Sequence, residues 1–286
     1  MKPSKTKEKL STGETITWCP GCPNFMILES VKQTIAELID TSGYTQKDFA
    51  ITTDIGCHAK MFDYLNVSGI YCLHGRALPT AEGICMGNPN LKVLTFVGDG
   101  ALYAEGMGHL PSAFRNNMNM TLIVHDNQSY SLTTGQSTPT SQIGFKTKVK
   151  PQGEENKPLN PILFALASGA TFVARCNARN IIHTKEILKK AMAHNGFSFV
   201  EIIQDCLIFN IESNNKDSRM YEVPDNKNIE EAFKLSREFD YNAKSGKIPV
   251  GVLYQNKSIK TFSQKWPQIA SVLKEKSFYK EQIKRK

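Results

Sequence analysis

An aspartate flanked by glycines and an asparagine further along the chain each follow an apolar run. Gly98-Asp99-Gly100 closes the run Leu91 to Val97, and Asn127 follows the run Met120 to His125. The 26 residues between the tripeptide and the asparagine leave room for a crossover helix between two parallel strands. Open α/β sheets bind ligands at the carboxyl ends of such strands. We therefore expect a carboxylate and an amide oxygen to lie side by side there.

These two hard oxygen donors predict a magnesium site. Mg²⁺ prefers near-octahedral oxygen ligation from one or two protein groups, substrate phosphates and water. Asp99, the side-chain oxygen of Asn127 and the backbone carbonyl of Ser129 would supply the protein ligands. Since the glycines beside Asp99 carry no Cβ, backbone N–H groups can approach a phosphate closely. The pattern therefore predicts Mg²⁺ holding a diphosphate.

The elements that position these groups follow an alternating strand and helix pattern. The two runs above and Phe197 to Ile203 are short and apolar, which predicts strands covered on both faces. Apolar spacings of three and four predict helices over residues 104–117, with Pro111 at a first turn or a kink, and over Ile181 to Ala193. A chain of 286 residues, 40% of them hydrophobic, can bury one α/β core. We expect a mostly parallel sheet with helices on both faces.

The seven cysteines suggest metal ligands or buried thiols rather than disulfides. Cys19 and Cys22 form a C-x-x-C pair in a turn rich in proline and glycine, which lets two thiolates face one metal. The pair alone is compatible with zinc, an iron–sulfur cluster or a thioredoxin-like dithiol, although no clear strand precedes Trp18 as the last would require. Three others lie in apolar runs or a helix, and we expect them in the core: Cys72, Cys85 and Cys176. A zinc site with Cys72 as fourth ligand is the alternative.

Five motifs occur in an order that resembles a known family. They are Trp18-Cys19-Pro20-Gly21-Cys22, Ile55-Gly56-Cys57, His74-Gly75-Arg76-Ala77, Gly98-Asp99-Gly100 with Asn127, and Gly135-Gln136. Over about residues 15–210 the chain resembles the β subunit of 2-oxoacid:ferredoxin oxidoreductases. The resemblance implies a thiamine diphosphate-binding fold, and it makes the diphosphate of that cofactor the expected ligand of Mg²⁺.

The resemblance also assigns ligands. It implies a [4Fe–4S] cluster on Cys19, Cys22, Cys57 and Cys206. The positions that match cofactor-lining residues of the family are Ile55, Gly56, Cys57, His58, His74, Gly100, Ala101, Ser131 and Leu132. His74 is in addition a candidate for binding a phosphate or the substrate carboxylate. The chain departs from the family where His58 follows Cys57, and where Gln204-Asp205 precede Cys206, which changes the charge near a cluster.

The implied reaction is the oxidative decarboxylation of a 2-oxoacid. Electrons would pass through the cluster to ferredoxin, and the acyl group would be transferred to coenzyme A. An α subunit would supply the pyrimidine-side domain and the activating glutamate, so the chain would be half of an active site in a heterodimer. Two alternatives remain: a non-redox thiamine diphosphate-dependent 2-oxoacid decarboxylase subunit, and a catalytically silent assembly subunit.

Two features bear on the identity of the oxoacid. Lys60, three residues after Cys57, would pair with the distal carboxylate of 2-oxoglutarate, although a solvated helix lysine fits the position as well. The segment Leu132 to Thr140 resembles the 2-oxoglutarate or broad-specificity branch of the family more than the pyruvate branch. We therefore expect 2-oxoglutarate, with pyruvate as the second substrate candidate.

Composition indicates where the protein acts. No apolar run approaches the ~20 residues of a membrane span, and the polar, lysine-rich arm Met1 to Glu14 fits neither a signal nor a transit peptide, so we expect a cytoplasmic protein. Residues 256–286 hold nine Lys/Arg and two acidic residues, which is +7 of the formal +8. The rest is nearly neutral, which argues against nucleic-acid binding.

We divide the chain into an arm (1–14), a cofactor and cluster domain (15–210) and an extension (211–286). The basic tail of this extension is a solvated end, an arm on a partner or a steering surface for an acidic ferredoxin.

Overall fold

An eight-stranded sheet forms the centre of the protein in a computed structural model that describes residues 5–214, 216–242, 245–266 and residue 268. The strands are β1 (Phe49–Thr53), β2 (Ser68–Tyr71), β3 (Lys92–Gly98), β4 (Met120–Asp126), β5 (Phe172–Asn177), β6 (Phe197–Ile203), β7 (Met220–Glu222) and β8 (Ile248–Gln255). Their order is β2-β1-β3-β4-β6-β5-β8-β7. Only β5 and β8 pair antiparallel among the described strands. The predicted mostly parallel sheet is confirmed.

Helices cover both faces of this sheet. They are α1 (Lys5–Lys9), α2 (Asn24–Ser42), α3 (Met61–Tyr64), α4 (Ala77–Gly87), α5 (Leu110–Asn116), α6 (Pro161–Ala167), α7 (Ile181–Ala193), α8 (Ile229–Glu238) and α9 (Phe262–Lys265). Apolar residues of α2, α3 and α7 form one buried cluster with the sheet, and those of α4, α5, α6 and α8 form a second. The predicted layers are therefore confirmed, and the strands predicted around Asp99 and Asn127 and before Cys206 are β3, β4 and β6.

The single helix predicted over residues 104–117 is wrong. The segment consists of a π-helical turn (Ala101–Glu105), a 3₁₀ turn (Met107–His109) and then α5, with Pro111 in the first turn of that helix. The regular helix is interrupted at Gly106, a residue type that disfavours helix. The loop after β2 packs closely against this position, since a Cβ at Gly75 would lie 2.6 Å from the backbone nitrogen of Gly106. The break brings the 101–106 turn against the loop that carries His74.

The chain beyond residue 210 contributes to the same sheet. Strand β8 pairs with β5 and with β7, and α8 packs against the core on one face. At the other end of the chain, α1 is tied to α2 by the ion pair of Lys7 with Glu29, at 2.7 Å. The basic tail predicted as a solvated end or steering surface lies outside the described residues from residue 269 onward.

Two further predictions concern buried thiols and membrane spans. Cys72 and Cys85 pack in the apolar cluster on one face of the sheet, and Cys176 packs in the cluster on the other face, so their predicted core positions are confirmed. Within the described ranges, no helix combines the length and apolar character that a bilayer crossing demands.

Candidate active site

A cleft opens at the carboxyl ends of β1, β3 and β4. Because β3 and β4 pair with Gly98 opposite His125, the residues that follow the two strands emerge next to each other. The cleft is lined by every residue that the sequence assigned to the cofactor and to magnesium: Ile55, Gly56, Cys57, His58, His74, Asp99, Gly100, Ala101, Asn127, Ser129, Ser131 and Leu132. Five further residues complete the lining: Gly98, which belongs to the predicted motif, and His125, Tyr130, Thr133 and Gln204, which the sequence had not assigned to the cofactor.

Asp99 lies at the bottom of the cleft beside a second buried carboxylate. The Thr140 hydroxyl is 2.8 Å from Asp99 Oδ2 and 3.1 Å from Asp126 Oδ1, and its one hydrogen can satisfy only one of them. Burial raises the pKa of Asp99 to about 6, and burial together with the Asp99 charge raises the pKa of Asp126 well above its usual value. A divalent cation at Asp99 would offset this repulsion. Asp126 and Thr140 were missed by the sequence reasoning; the only signal was an aspartate at the end of a strand.

Hydrogen bonds orient the Asn127 amide. Its Oδ1 accepts from the Ser129 backbone N–H at 3.0 Å, and its Nδ2 donates to the Ser131 hydroxyl at 3.1 Å. Asn210 donates to the carbonyls of Asn127 and Gln128, at 3.1 Å each, and so fixes the loop backbone. The buried Ser129 Oγ and His125 Nε2 have no protein partner. Unpartnered polar atoms on the wall of a cleft are what a polar ligand would satisfy.

His58 is held by a buried aspartate and by two glycines. Asp54 follows β1, bonds His58 Nε2 through Oδ1, and accepts the Gly75 N–H through Oδ2 at 3.1 Å. A Cβ at Gly56 would lie 2.7 Å from the imidazole, and one at Gly98 would lie 2.8 Å from it. The imidazole therefore occupies space that only glycine leaves free.

His74 lies at the entrance of the cleft within a polar group. Its Nδ1 is 3.2 Å from Glu105 Oε2, which is ion-pair distance without the angle of a hydrogen bond. The Tyr130 hydroxyl donates to the same carboxylate at 3.2 Å, while its ring lies over Gly100, where a Cβ would approach to 2.3 Å. Burial, and then the Glu105 charge, raise the pKa of the Tyr130 phenol. The geometry places the His74 imidazole within reach of a ligand in the cleft.

The four cysteines assigned to a cluster line a second cavity, of about 190 Å³: Cys19, Cys22, Cys57 and Cys206. The Trp18 indole donates to the Cys57 carbonyl at 2.7 Å and so connects the segment that carries Cys19 to the segment that carries Cys57. Burial, followed by the charges of the other three thiols, raises the pKa of Cys57 to about 11. The other three thiols are thus close enough to Cys57 to oppose its ionisation, and a bound metal centre would reverse that penalty.

The volume of the cysteine cavity and the arrangement of its ligands bear on which kind of metal centre fits there. Its volume is more than ten times the roughly 10–15 Å³ that one water needs. Among the described residues, no three His, Cys, Asp or Glu side chains converge closely enough to hold a single ion. Cys72, the alternative fourth ligand for zinc, does not line the cavity. The donor set and the space therefore fit a polynuclear cluster better than a mononuclear zinc site.

Lys60 lies in the cysteine cavity and not in the lining of the cofactor cleft. Its ammonium donates to the Thr17 hydroxyl at 2.7 Å and to the Thr17 carbonyl at 3.2 Å. The two cavities nevertheless share a wall, since four residues line both: Cys57, Asn127, Ser131 and Leu132.

Comparisons with known proteins agree with this geometry. Residues 54–202 match the family of thiamine pyrophosphate enzymes, C-terminal TPP binding domain. The chain is 39% identical to the 2-oxoacid:ferredoxin oxidoreductase subunit beta of Saccharolobus solfataricus over 87% of this chain and 84% of that protein. It is 36% identical to the 2-oxoglutarate synthase subunit KorB of Archaeoglobus fulgidus, over 66% and 69% of the two chains.

A solved structure is similar over almost the whole chain. It is a 2-oxoglutarate:ferredoxin oxidoreductase from Magnetococcus marinus with 2-oxoglutarate, coenzyme A and succinyl-CoA bound. The TM-score is 0.87 at 33% identity, with 98% of this chain and 95% of that chain covered. The resemblance expected from the five sequence motifs is confirmed. The chain belongs to the β subunits of the 2-oxoacid:ferredoxin oxidoreductases and contains their thiamine pyrophosphate-binding domain.

Proposed function

We propose that this chain holds Mg²⁺ and thiamine diphosphate in the cleft and a [4Fe–4S] cluster in the cysteine cavity. Asp99, Asn127 and the Ser129 carbonyl would bind the Mg²⁺, and Cys19, Cys22, Cys57 and Cys206 would bind the cluster. With an α subunit, the chain would oxidise a 2-oxoacid to acyl-coenzyme A and carbon dioxide and pass the electrons to ferredoxin. The observation that carries this proposal is the shared wall between the two cavities.

The residues of the chain bind and orient rather than perform the chemistry. Thiamine diphosphate, when bound, supplies the electron-accepting centre for decarboxylation, while the protein positions it and controls access. The glycines beside Asp99 and the loop after β4 hold the diphosphate end. His74 would bind a phosphate or the substrate carboxylate at the entrance. Four residues line both cavities, which would keep the route from cofactor to cluster short.

The exposed apolar rim of the cleft supports an α-subunit partner. Ile55 is 38% exposed and Leu132 is 45% exposed, although both line the cleft. Apolar side chains around a polar site indicate a surface that another chain covers. The same partner would contribute the glutamate that activates the cofactor. We propose the cytoplasm, with ferredoxin as electron acceptor, as the setting of this complex.

The composition of the complex tests the proposal. After anaerobic copurification with its native partners, we expect thiamine diphosphate, Mg²⁺ and about four iron and four sulfide per β chain. A Cys57→Ser variant should lose the iron and the visible absorption of the cluster but keep thiamine diphosphate. Cofactor without iron in the wild type would instead indicate the non-redox decarboxylase. Absence of both Mg²⁺ and thiamine diphosphate would indicate the silent assembly subunit.

The favoured substrate is 2-oxoglutarate. Lys60 lies in the cysteine cavity, which shares a wall with the cleft, and we propose that its ammonium leaves Thr17 to recognise the distal carboxylate. A charged hydrogen bond is worth about 1.5–3 kcal/mol, so Lys60→Ala should lower kcat/KM for 2-oxoglutarate by roughly 10- to 100-fold. Pyruvate, which lacks that carboxylate, should change by less than about threefold. Lys47→Ala, at an exposed lysine, serves as the control. Equal losses for both oxoacids in steady-state assays of the complex would contradict this role.

A further inference from the structure

Ser131 bridges the two proposed sites with its hydroxyl. The Asn127 amide donates to Ser131 Oγ at 3.1 Å, and Ser131 Oγ lies 3.1 Å from Cys206 Sγ. Asn127 is a proposed Mg²⁺ ligand, and Cys206 is a proposed cluster ligand. These residues come together although 75 positions separate Ser131 from Cys206 in the sequence. The contact is partly buried, which limits competition from water.

The direction of this hydrogen bond follows from its neighbours. The Asn127 N–H group occupies a lone pair of the Ser131 oxygen, so the hydroxyl hydrogen is left for an acceptor. Two acceptors are in range: Cys206 Sγ at 3.1 Å and the Ser129 carbonyl at 3.4 Å. A thiolate carries negative charge and accepts more strongly than a neutral carbonyl. The Phe209 backbone N–H also reaches the sulfur, at 3.4 Å, so Cys206 has one side-chain donor and one backbone donor.

We propose that Ser131 donates a hydrogen bond to the Cys206 thiolate and thereby raises the reduction potential of the cluster, with the Asn127 amide fixing the donor. The inference rests on the cluster assignment made above. Hydrogen bonds to cluster sulfurs stabilise the more negative, reduced form and are one of the factors that set cluster potentials. Ser131 is in this sense a positioning residue, because it acts on electron transfer through a ligand of the cluster.

The test is an anaerobic redox titration, followed by electron paramagnetic resonance, of the complex purified with its partner. The signal that disappears in Cys57→Ser identifies the cluster of this chain. Ser131→Ala should keep full iron and sulfide and should lower the midpoint potential. The equilibrium constant of the one-electron reduction should change at least threefold, where a tenfold change corresponds to 59 mV. Ser131→Thr keeps a hydroxyl and should restore the potential. Ser198→Ala, which removes a buried hydroxyl on β6 that donates to the Ala191 carbonyl, should leave the potential unchanged.

The outcomes separate this inference from the proposed function. Wild-type complex without iron and sulfide would overturn the cluster assignment itself. An intact cluster in Ser131→Ala with an unchanged potential would overturn the role of the hydroxyl alone. If the alanine variant assembles no cluster, resonance Raman spectra in H₂O and D₂O decide, with Ser131→Val as the counterpart of Ser131→Thr that lacks the hydroxyl. Because the Phe209 N–H also reaches the sulfur, a larger shift of the iron–thiolate bands in the wild type and Ser131→Thr than in Ser131→Val supports the hydroxyl, and equal shifts reject it.

Discussion

Replacing Asp99 by asparagine is expected to weaken Mg²⁺-dependent binding of thiamine diphosphate by more than about 100-fold. Changes to residues that merely support a metal ligand cost about 10- to 100-fold, and Asp99 is a proposed direct ligand. Equilibrium binding of thiamine diphosphate to the complex at fixed Mg²⁺ measures the loss. Retained affinity in Asp99→Asn would contradict the proposed magnesium site.

The same substitution should make the cofactor-free protein less sensitive to pH. Burial raises the folded-state pKa of Asp99 to about 6, so the native state keeps this proton longer than the unfolded state does. The contribution to stability is therefore full below the unfolded pKa and is lost as the pH rises through about 6. We expect wild-type protein to lose more stability than Asp99→Asn between pH 4 and pH 7. Urea denaturation at both pH values gives the difference, which should disappear when Mg²⁺ and cofactor are bound.

Glu201→Gln is expected to cost about 3–5 kcal/mol of unfolding free energy, because it leaves a buried arginine without its counterion. Arg175 on β5 and Glu201 on β6 are both fully buried, and they pair at 2.8 Å. The Tyr241 hydroxyl donates to Glu201 and accepts from Arg175, so the three side chains form one network between the sheet and the chain after α8. The network joins the segment beyond residue 210 to the central strands.

The surface provides the matched control for this prediction. Lys190 and Asp225 pair at 2.7 Å, but each side chain is more than 40% exposed. Asp225→Asn should therefore change the unfolding free energy by no more than about 1 kcal/mol. Urea denaturation of the full chain measures both variants. A Glu201→Gln cost as small as that of the control would show that water reaches Arg175 and that the network is not a buried ion pair.

The local sequence pattern predicts some of the helices and strands of the protein and not others, and the structure shows why. Strands β3, β4 and β6 and helix α7 were predictable, because each has an uninterrupted apolar period and is bounded by glycine or polar residues. The single helix predicted over residues 104–117 was wrong, because apolar spacing does not register the break at Gly106, where the loop at Gly75 packs closely against the backbone. Tertiary packing overrode a periodic signal there.

Individual site residues divide in the same way. Asp99 and Asn127 were predicted as ligands from their residue types and spacing, whereas the cluster role of the four cysteines was predicted from the resemblance to the family, and Cys206 lies in none of the five motifs. Asp54 and Thr140 carry no such signal: an aspartate after a strand and a threonine in a loop are common. Their roles arise from contacts with His58 and with the two buried carboxylates.

The sequence by itself determined the fold class and the family, and it predicted the side chains that would bind metal and diphosphate, because these depend on local periodicity and on residue types at short spacing. Only the tertiary structure decided that the cofactor cleft and the cysteine cavity share a wall, that Lys60 lies in the second, and that Ser131 contacts Cys206. Those relations join segments far apart in the chain, and they follow from the parallel order of the strands and the packing of the loops at their carboxyl ends.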